Sequence, residues 1–438
     1  MRKHSGIDDF QNDWLKQLVA DSPLLATSLG HSSHQDKLDD FSPANIESRL
    51  QKFKNARLDL SKLTAIDHTD QVSKHAMLEN LDSEIDIVES NLPYRDLNNI
   101  ASPLQEIRNA FDLMPRQTPT HWQNIASRMA DVQRALAEHA QTLSVGIEKQ
   151  TVPAQRQVEQ VLNQIPGLMG RIGFFGQLAA SGSQQFPELA DVLSSAAEKA
   201  SDGLEQYRQF LSETLYGRSA KEDAIGRENY ELLIRKFVGI QLDLDETYLW
   251  GIDQLEMVVK EQELIASQIE SNAGIEKAIH LIDSDPRYQI NGVENLRKWM
   301  QQTSDEALQQ LAGKYFDIPE KLQALECMIA PTDQGGIYYT QPSEDFSRPG
   351  RMWWSIPKGV ETFSTWREKT TVFHEGVPGH HLQLGWQVYN KQQLNDWRRN
   401  VSWTSGHGEG WALYAEQLMR EFGFLSDPGD LMGMLDAQ

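Results

Sequence analysis

The sequence of 438 residues contains a single cysteine, Cys327. One cysteine excludes an intramolecular disulfide bond and also excludes a metal site built from cysteine clusters. Cys327 lies in the apolar run 325–329, without the basic neighbours that activate a thiolate, so we expect it to be structural rather than a nucleophile. Any bound metal must therefore be held by histidine, aspartate or glutamate.

The chain is also poor in basic residues, with 41 Lys and Arg against 63 Asp and Glu and a formal net charge of −22. This balance disfavours binding to nucleic acid or to an anionic membrane, and we predict neither partner. No run of about eighteen apolar residues occurs, so no helix is predicted to span a membrane. Residues 1–10 lack the apolar stretch of a signal peptide. We therefore predict a cytoplasmic protein, although a chain whose signal peptide had been removed would look the same.

Several functional motifs are absent. The sequence has no glycine-rich phosphate loop and no nucleophile-elbow pattern, which argues against nucleotide binding and against a serine hydrolase. It also has no repeat of fixed period, so a solenoid is not predicted.

Helical periodicity dominates the first three hundred residues, because apolar positions recur every three or four residues and Gly or Pro clusters separate the segments. The strongest helix candidates are residues 9–29, 45–53, 69–92, 119–147, 187–217, 226–238, 245–272 and 291–313. We predict a mainly α fold, a large multi-helix assembly. A helical N-terminal region over 1–220 and a metal-site region over 221–438 are predicted, although the weak boundary also allows one domain.

The pattern changes near residue 330. Turn-forming segments at 331–336 and 341–343 flank Ile337–Thr340, a short β-prone run, and a second such run follows at 351–357. Proline at the ends of these runs suits an edge strand. We therefore predict a small β-sheet with an edge strand beside a metal cleft, where an extended peptide could add to it. The alternative is a hairpin that only covers the core.

Residues 374–383 read HEGVPGHHLQ and concentrate metal-binding side chains. Two histidines four residues apart on a helix can share one zinc ion, but the spacing here is six or seven residues. Seven residues rise about 10.5 Å on a regular helix, so the helix must be interrupted, and Pro378–Gly379 provides the interruption. We predict His374 and His380 as ligands, with His381 as the alternative to His380. Glu375 is placed to act as a general base.

A third ligand is expected from residues 407–416, which resemble a helix that carries carboxylates. Glu409 and Glu416 lie two turns apart on one face, so only one of them is expected to touch the metal. We predict Glu409 as the ligand, because flanking glycines ease close approach, and Glu416 as a side chain that orients a ligand imidazole. His407 is expected to lie in the preceding loop and not to bind metal.

At these residues the chain resembles the bacterial proteins catalogued as domain of unknown function 885, which look like zinc metallopeptidases with two His ligands and one Glu ligand. The resemblance rests on HEGVPGHHLQ at 374–383 and on EGWALYAE at 409–416. Weaker agreement lies at 114–116, 226–230, 338–342 and 348–350. The resemblance implies a mostly α-helical fold with a small sheet near the cleft, a Zn²⁺ cofactor and peptide hydrolysis. It also implies His374, His380 and Glu409 as ligands and Glu375 as base.

Members of that family usually continue well past the carboxylate helix. We therefore expect the C-terminal region to be incomplete, with a Tyr, His or Arg that stabilises the transition state encoded beyond Gln438. A chain lacking that group would have reduced or no activity.

The sequence thus predicts a zinc-dependent hydrolase that cleaves peptide bonds in short or unfolded peptides, using activated water and Glu375 as base. One alternative is an acidic helical binding protein in which the metal is structural or absent. Another is a metal-dependent hydrolase of non-peptide amides. Peptide specificity and oligomeric state are not predicted.

Overall fold

The computed structural model describes residues 2–330 and 336–438. The chain separates into two compact units. The N-terminal unit consists of Arg2–Lys236 and Asn400–Ser402, and the C-terminal unit consists of Phe237–Arg399 and Trp403–Gln438. The domain division at residue 220 stays a prediction, whereas the mainly α fold is confirmed.

The N-terminal unit is built from helices joined by short turns. Its helices are α1 (Gly6–Asp21), α2 (Pro23–Ser28), α3 (Pro43–Lys62), α4 (His68–Glu89), α5 (Pro103–Leu113), α6 (Pro119–Ala130), α7 (Val132–Glu148), α8 (Gln155–Gln164), α9 (Phe174–Gln185), α10 (Ala190–Gln209) and α11 (Arg227–Val238). Ser22 and Pro23 split the helix predicted at 9–29, because Ser22 accepts a hydrogen bond from the first turn of α2 and Pro23 fits only that first turn.

A large apolar core holds the N-terminal unit together. Phe111, Trp122, Leu136 and Leu204 are each at most 1% exposed and belong to one cluster that joins α5, α6, α7 and α10. Since burying one such side chain stabilises a fold by about 1.5–3 kcal/mol, this cluster dominates the stability of the unit.

The C-terminal unit combines helices with two small sheets. Its helices are α12 (Leu244–Ile269), α13 (Ile275–Ser284), α14 (Val293–Leu311), α15 (Thr365–Glu375), α16 (His380–Tyr389), α17 (Asp396–Asn400), α18 (Ser405–Glu421) and α19 (Pro428–Ala437). Its strands are β1 (Gln289–Asn291), β2 (Leu325–Ile329), β3 (Ile337–Thr340), β4 (Gly350–Trp354) and β5 (Thr362–Ser364).

The larger sheet has the order β2-β4-β3, with β4 parallel to β2 and antiparallel to β3. The two predicted strands are present as β3 and β4. β3 is an edge strand, as predicted, and β4 is central, because β2 pairs with it on the other side. The turn predicted at 331–336 falls on 331–335, which lie outside the described residues. β1 and β5 form a separate antiparallel pair.

The core of the C-terminal unit lies where this sheet meets α14, α15 and α18. Met352 from β4 and Val372 from α15 are fully buried there, and Met419 from α18 joins them. The sheet and these three helices therefore share one packed core, and this core positions the HEGVPGHH segment at 374–381. Within the described residues, no helix is both long and apolar enough to cross a membrane.

Candidate metal centre

The helix that carries His374 stops one residue later. α15 ends at Glu375, residues 376–379 form a tight turn that contains a cis Val377–Pro378 peptide, and α16 begins at His380. The turn is closed by hydrogen bonds from the Gly379 amide to the Phe373 carbonyl at 3.1 Å and from the His381 amide to the Gly376 carbonyl at 3.1 Å. The structure thus has an interruption at the place where the spacing of the histidines requires one.

Gly379 is required by close approach of the backbone. A Cβ atom at this position would lie 1.8 Å from the carbonyl oxygen of His374, which is far inside van der Waals contact. Only glycine therefore lets the chain turn back over the last turn of α15. The turn brings the His374 and His380 rings to a centroid separation of 5.0 Å, nearly perpendicular to each other.

Glu409 completes a three-residue cluster with these rings. One potential ligand atom from each of His374, His380 and Glu409 lies within 4.8 Å of the others. Glu409 Oε2 is 3.4 Å from His374 Nε2 and 3.5 Å from His380 Nε2, longer than normal hydrogen bonds. The structure therefore brings together the three side chains that the sequence predicts as ligands.

His374 is held from its far side by Glu416. The Nδ1 atom of His374 lies 2.8 Å from Oε1 of Glu416, a carboxylate that is 3% exposed. Thr370, one turn earlier on α15, donates its hydroxyl to the other oxygen of Glu416. Burial alone would lower the pKa of His374, but the hydrogen bond and charge of Glu416 outweigh it and raise that pKa. This contact fixes Nδ1 as the protonated nitrogen and leaves Nε2 to face Glu409.

His380 and His381 are adjacent in sequence but have different environments. His380 Nδ1 lies 3.3 Å from Gln383 Oε1, so its Nε2 also faces Glu409. His381 has both nitrogens engaged elsewhere, with Nε2 2.8 Å from the Leu322 carbonyl and Nδ1 2.9 Å from the Tyr339 hydroxyl. Since a carbonyl only accepts, Nε2–H donates to it and Nδ1 accepts from tyrosine. His381 therefore connects α16 to the sheet. His380, and not His381, belongs to the cluster.

Glu375 is the last residue of α15, follows His374 directly and is 8% exposed. Burial raises the pKa of its carboxyl to about 7, the negative charge of Glu409 adds to the rise, and His374 opposes it. A carboxyl with a pKa near neutrality can both accept and release a proton at physiological pH. The charges of His374 and Glu409 both act on this carboxyl, and its role as a base stays a prediction.

Glu409 is the fifth residue of α18. A Cβ atom at Gly408 would lie 2.1 Å from the Trp403 ring, so this glycine lets Trp403 pack against the start of the helix, whereas the space beside Gly410 is open. His407 lies in the first turn of α18 rather than in the preceding loop, and its side chain is exposed and outside the cluster. The side chain of Glu409 is 53% exposed, so the cluster faces solvent on this side.

Three contacts around the cluster were not predicted from the sequence. The Trp411 indole donates to the carbonyl oxygens of Pro378 and Gly379, at 2.9 and 3.3 Å, and so ties α18 to the turn. Thr370 supports Glu416, and Tyr339 supports His381. Thr370 precedes His374 by four residues, so helical spacing could have identified it. The Trp411 and Tyr339 contacts join segments distant in sequence, and no local pattern marks them.

The donor set fits a zinc ion. Two imidazoles that both present Nε2, together with one carboxylate, are the donor set of catalytic zinc sites, which have three protein ligands and a fourth position open to solvent. The hydrogen bond from His374 Nδ1 to a carboxylate is the usual outer support of such a ligand. The described residues therefore fit zinc in number, chemistry and access.

Two solved structures share the fold. A chain from Colwellia psychrerythraea, described as a candidate lipoprotein, superimposes with a TM-score of 0.83 at 18% identity, covering 98% of this chain and 80% of that chain. A chain from Shewanella oneidensis, described as a candidate lipoprotein of unknown function, has a TM-score of 0.70 at 15% identity and covers 99% and 81%. At these identities the likeness shows the fold alone.

Among curated proteins, no sequence matches this chain. The family of bacterial proteins of unknown function named DUF885 matches residues 23–438, nearly the whole chain, and the protein therefore belongs to that family.

Proposed function

We propose that this protein is a zinc-dependent hydrolase that cleaves peptide bonds in short or unfolded peptides. The observation that supports this proposal is the convergence of His374, His380 and Glu409 within 4.8 Å, with the buried carboxyl of Glu375 adjoining them. Each member of this arrangement has a distinct chemical role.

The three converging side chains would hold the ion. When bound, zinc supplies a Lewis acid that polarises a carbonyl group and increases the acidity of a water molecule. Glu416 would keep the His374 ring in the orientation that presents Nε2, and Gln383 would do the same for His380. The ligand geometry thus depends on side chains that do not themselves touch the ion.

Glu375 would transfer the proton. Hydrolysis of a peptide bond adds one water molecule: its oxygen forms a bond to the carbonyl carbon, the carbon–nitrogen bond breaks, and one proton moves to the leaving amine. Glu375 is the carboxyl that would accept this proton from the water and deliver it to the nitrogen.

The edge strand favours peptides over other amides as substrates. β3 packs against α15 and α16, the helices that carry the two histidines, and the Tyr339 contact with His381 fixes it there. β3 pairs with β4 on one side and, among the described residues, with no strand on the other. An extended peptide could hydrogen-bond to this free edge. A small amide without a peptide backbone would gain nothing from it.

The Glu375→Gln variant tests the proposed chemistry. It keeps the shape of the side chain but removes the base, so cleavage of a quenched fluorescent peptide by zinc-loaded protein should fall by about a hundredfold or more. Zinc content should stay unchanged. Glu361→Gln, at an exposed position just before β5, is the matched control and should retain activity. Full peptide hydrolysis by Glu375→Gln would show that the proposed mechanism is wrong.

Two further measurements distinguish the alternatives. Zinc content of protein purified without chelator separates a hydrolase from an acidic binding protein that lacks metal. A panel of peptide and non-peptide amides separates a peptidase from another amide hydrolase.

The predicted cytoplasmic location is part of this proposal. The alternative is a protein that is anchored outside the cytoplasm. It is suggested by the two similar structures, which are described as candidate lipoproteins. Fractionation of cells that express the protein from its own gene distinguishes the two locations.

A further inference from the structure

A cavity of about 340 Å³ lies in the N-terminal unit, outside the candidate metal centre. Its walls come from α3, α4, the short 3-10 helix at 92–95 that follows α4, and α11. Most of the lining is apolar and consists of Ile46, Ile87, Val88, Leu92, Pro93, Leu97, Ile225 and Leu233. We call it the Arg95 cavity. Its volume and apolar lining are typical of sites for small organic molecules.

Three cations and two carboxylates also line this cavity. The carboxylates are Glu84 and Asp96, and the cations are Arg49, Arg95 and Lys236. Lys236 forms an ion pair with Glu84 at 2.8 Å. Both carboxylates thus have cationic neighbours, because Lys236 and Arg49 also favour the charged form of Asp96.

Among the three cations of the cavity, only Lys236 forms an ion pair within the described residues, and no charged neighbour acts on Arg95. Its half-buried guanidinium makes no hydrogen bond and no ion pair with any residue among 2–330 and 336–438. Burial lowers its pKa, and no carboxylate offsets that effect. Arg49 differs, because it faces Asp39 and Glu106 as well as Asp96. The guanidinium keeps some contact with solvent, so an anion would replace water beside Arg95, and the apolar lining would strengthen the attraction between the two charges by lowering the local dielectric constant.

Buried side chains of the core hold the backbone next to Arg95 in place. The carbonyl oxygen of Asp96 accepts a hydrogen bond from Nε2 of the fully buried His139, at 3.0 Å. His139 Nδ1 in turn accepts from the Tyr207 hydroxyl at 2.8 Å. Because His139 and Tyr207 lie in the core of the unit, the backbone next to Arg95 is fixed before any ligand arrives, while the guanidinium is left free to pair with it.

We propose that the Arg95 cavity binds a small carboxylate with an apolar body, whose carboxylate pairs with Arg95 and whose hydrocarbon contacts the apolar lining. The planar guanidinium fork matches a carboxylate through two parallel hydrogen bonds. A phosphate dianion fits less well, because most of the wall is apolar and because Glu84 and Asp96 would repel two negative charges more strongly than one. A simple alkanoate such as hexanoate has the required shape and charge.

The test compares three probes on the whole protein by ligand-observed NMR. Hexanoate, hexan-1-ol and hexylammonium share one hydrocarbon chain and differ only in the head group. Hexanoate should bind about tenfold more tightly than hexan-1-ol, and hexylammonium should bind more weakly than either. Equal affinity for hexanoate and hexan-1-ol would overturn the proposal, and this comparison needs no variant.

Two variants and one control variant test which residues form the binding site. Arg95→Gln should weaken hexanoate binding by about tenfold and leave hexan-1-ol binding unchanged. Arg218→Gln, which removes the same charge from an exposed position of the same unit, should change neither. Ile225→Trp, which fills the cavity from its partly exposed rim, should abolish binding of both probes. Unchanged hexanoate affinity in folded Arg95→Gln would refute the role of Arg95.

Discussion

Glu416 and His374 form the contact that orients an imidazole of the candidate metal centre: Nδ1 of His374 lies 2.8 Å from Oε1 of the buried carboxylate. The sequence indicated that Glu409 and Glu416, two turns apart, could not both touch one metal. In the structure they lie against opposite nitrogens of the same imidazole, with Glu409 Oε2 3.4 Å from Nε2. One helix, α18, therefore supplies both a candidate ligand and the side chain that orients another.

Glu416→Gln should lower zinc affinity by about tenfold. The amide can still accept a hydrogen bond from His374, but it lacks the charge that makes the imidazole a stronger donor to a metal. Zinc affinity is measured by competition with a chromophoric chelator. Glu421→Gln, an exposed position at the end of the same helix, is the control and should leave the affinity unchanged. An affinity in Glu416→Gln equal to that of the parent would mean that this contact does not support metal binding.

Gly379→Ala should destabilise the protein by about 3 kcal/mol, because the added Cβ would lie 1.8 Å from the His374 carbonyl oxygen and the turn would have to open. Chemical denaturation measures the change. Gly410→Ala is a matched control beside Glu409, since no atom lies within 4 Å of its added Cβ. Because Gly410 lies inside a helix, its replacement by alanine should stabilise the protein by about 0.5–1 kcal/mol. Equal effects of the two substitutions would contradict the packing described for the turn.

His139 should make the stability of the protein depend on pH. Burial lowers its pKa from the ordinary 6.5 to about 4 in the folded chain. Between these values the unfolded chain binds more protons, so the folded state loses stability as the pH falls. The protonation of His139 alone should lower the free energy of unfolding by about 2 kcal/mol between pH 6.5 and pH 5.

The His139→Gln variant isolates this effect. It should be less stable than the parent at pH 7, because it loses the imidazole that joins Tyr207 to the Asp96 carbonyl, and the difference should shrink as the pH falls. Asp96 and Glu106, whose pKa values are both raised to about 6, titrate in the opposite sense but are common to both proteins. A difference that stayed constant from pH 7 to pH 5 would argue against a neutral, buried His139.

Local sequence patterns predicted much of the fold. The helices at 69–92, 226–238 and 245–272 correspond to α4, α11 and α12 within a few residues. Periodicity did not reveal the break at Asp131, where α6 ends and α7 begins, because both helices bury apolar faces in the same core. β2 was read only as buried apolar chain, but in the structure only Leu325 and Cys327 of its five residues are buried, and so short a run cannot be recognised as a strand by periodicity alone.

The candidate site was predictable where chemistry and spacing combine. A spacing of six residues from His374 to His380 cannot bring two rings together on an unbroken helix, so the prediction had to include a break at Pro378–Gly379. The position of Glu409 relative to the histidines depends on how α18 packs on α15, which is a tertiary relationship. The choice between His380 and His381 likewise depended on Tyr339, which approaches from the sheet.

The most direct test of the metal site is anomalous X-ray scattering at the zinc edge from crystals of zinc-loaded protein. We predict one strong peak, about 2.0–2.2 Å from Nε2 of His374, Nε2 of His380 and a carboxylate oxygen of Glu409. A well-ordered cluster without a peak, or a zinc ion bound only elsewhere in the chain, would contradict the assignment of these three residues as its ligands.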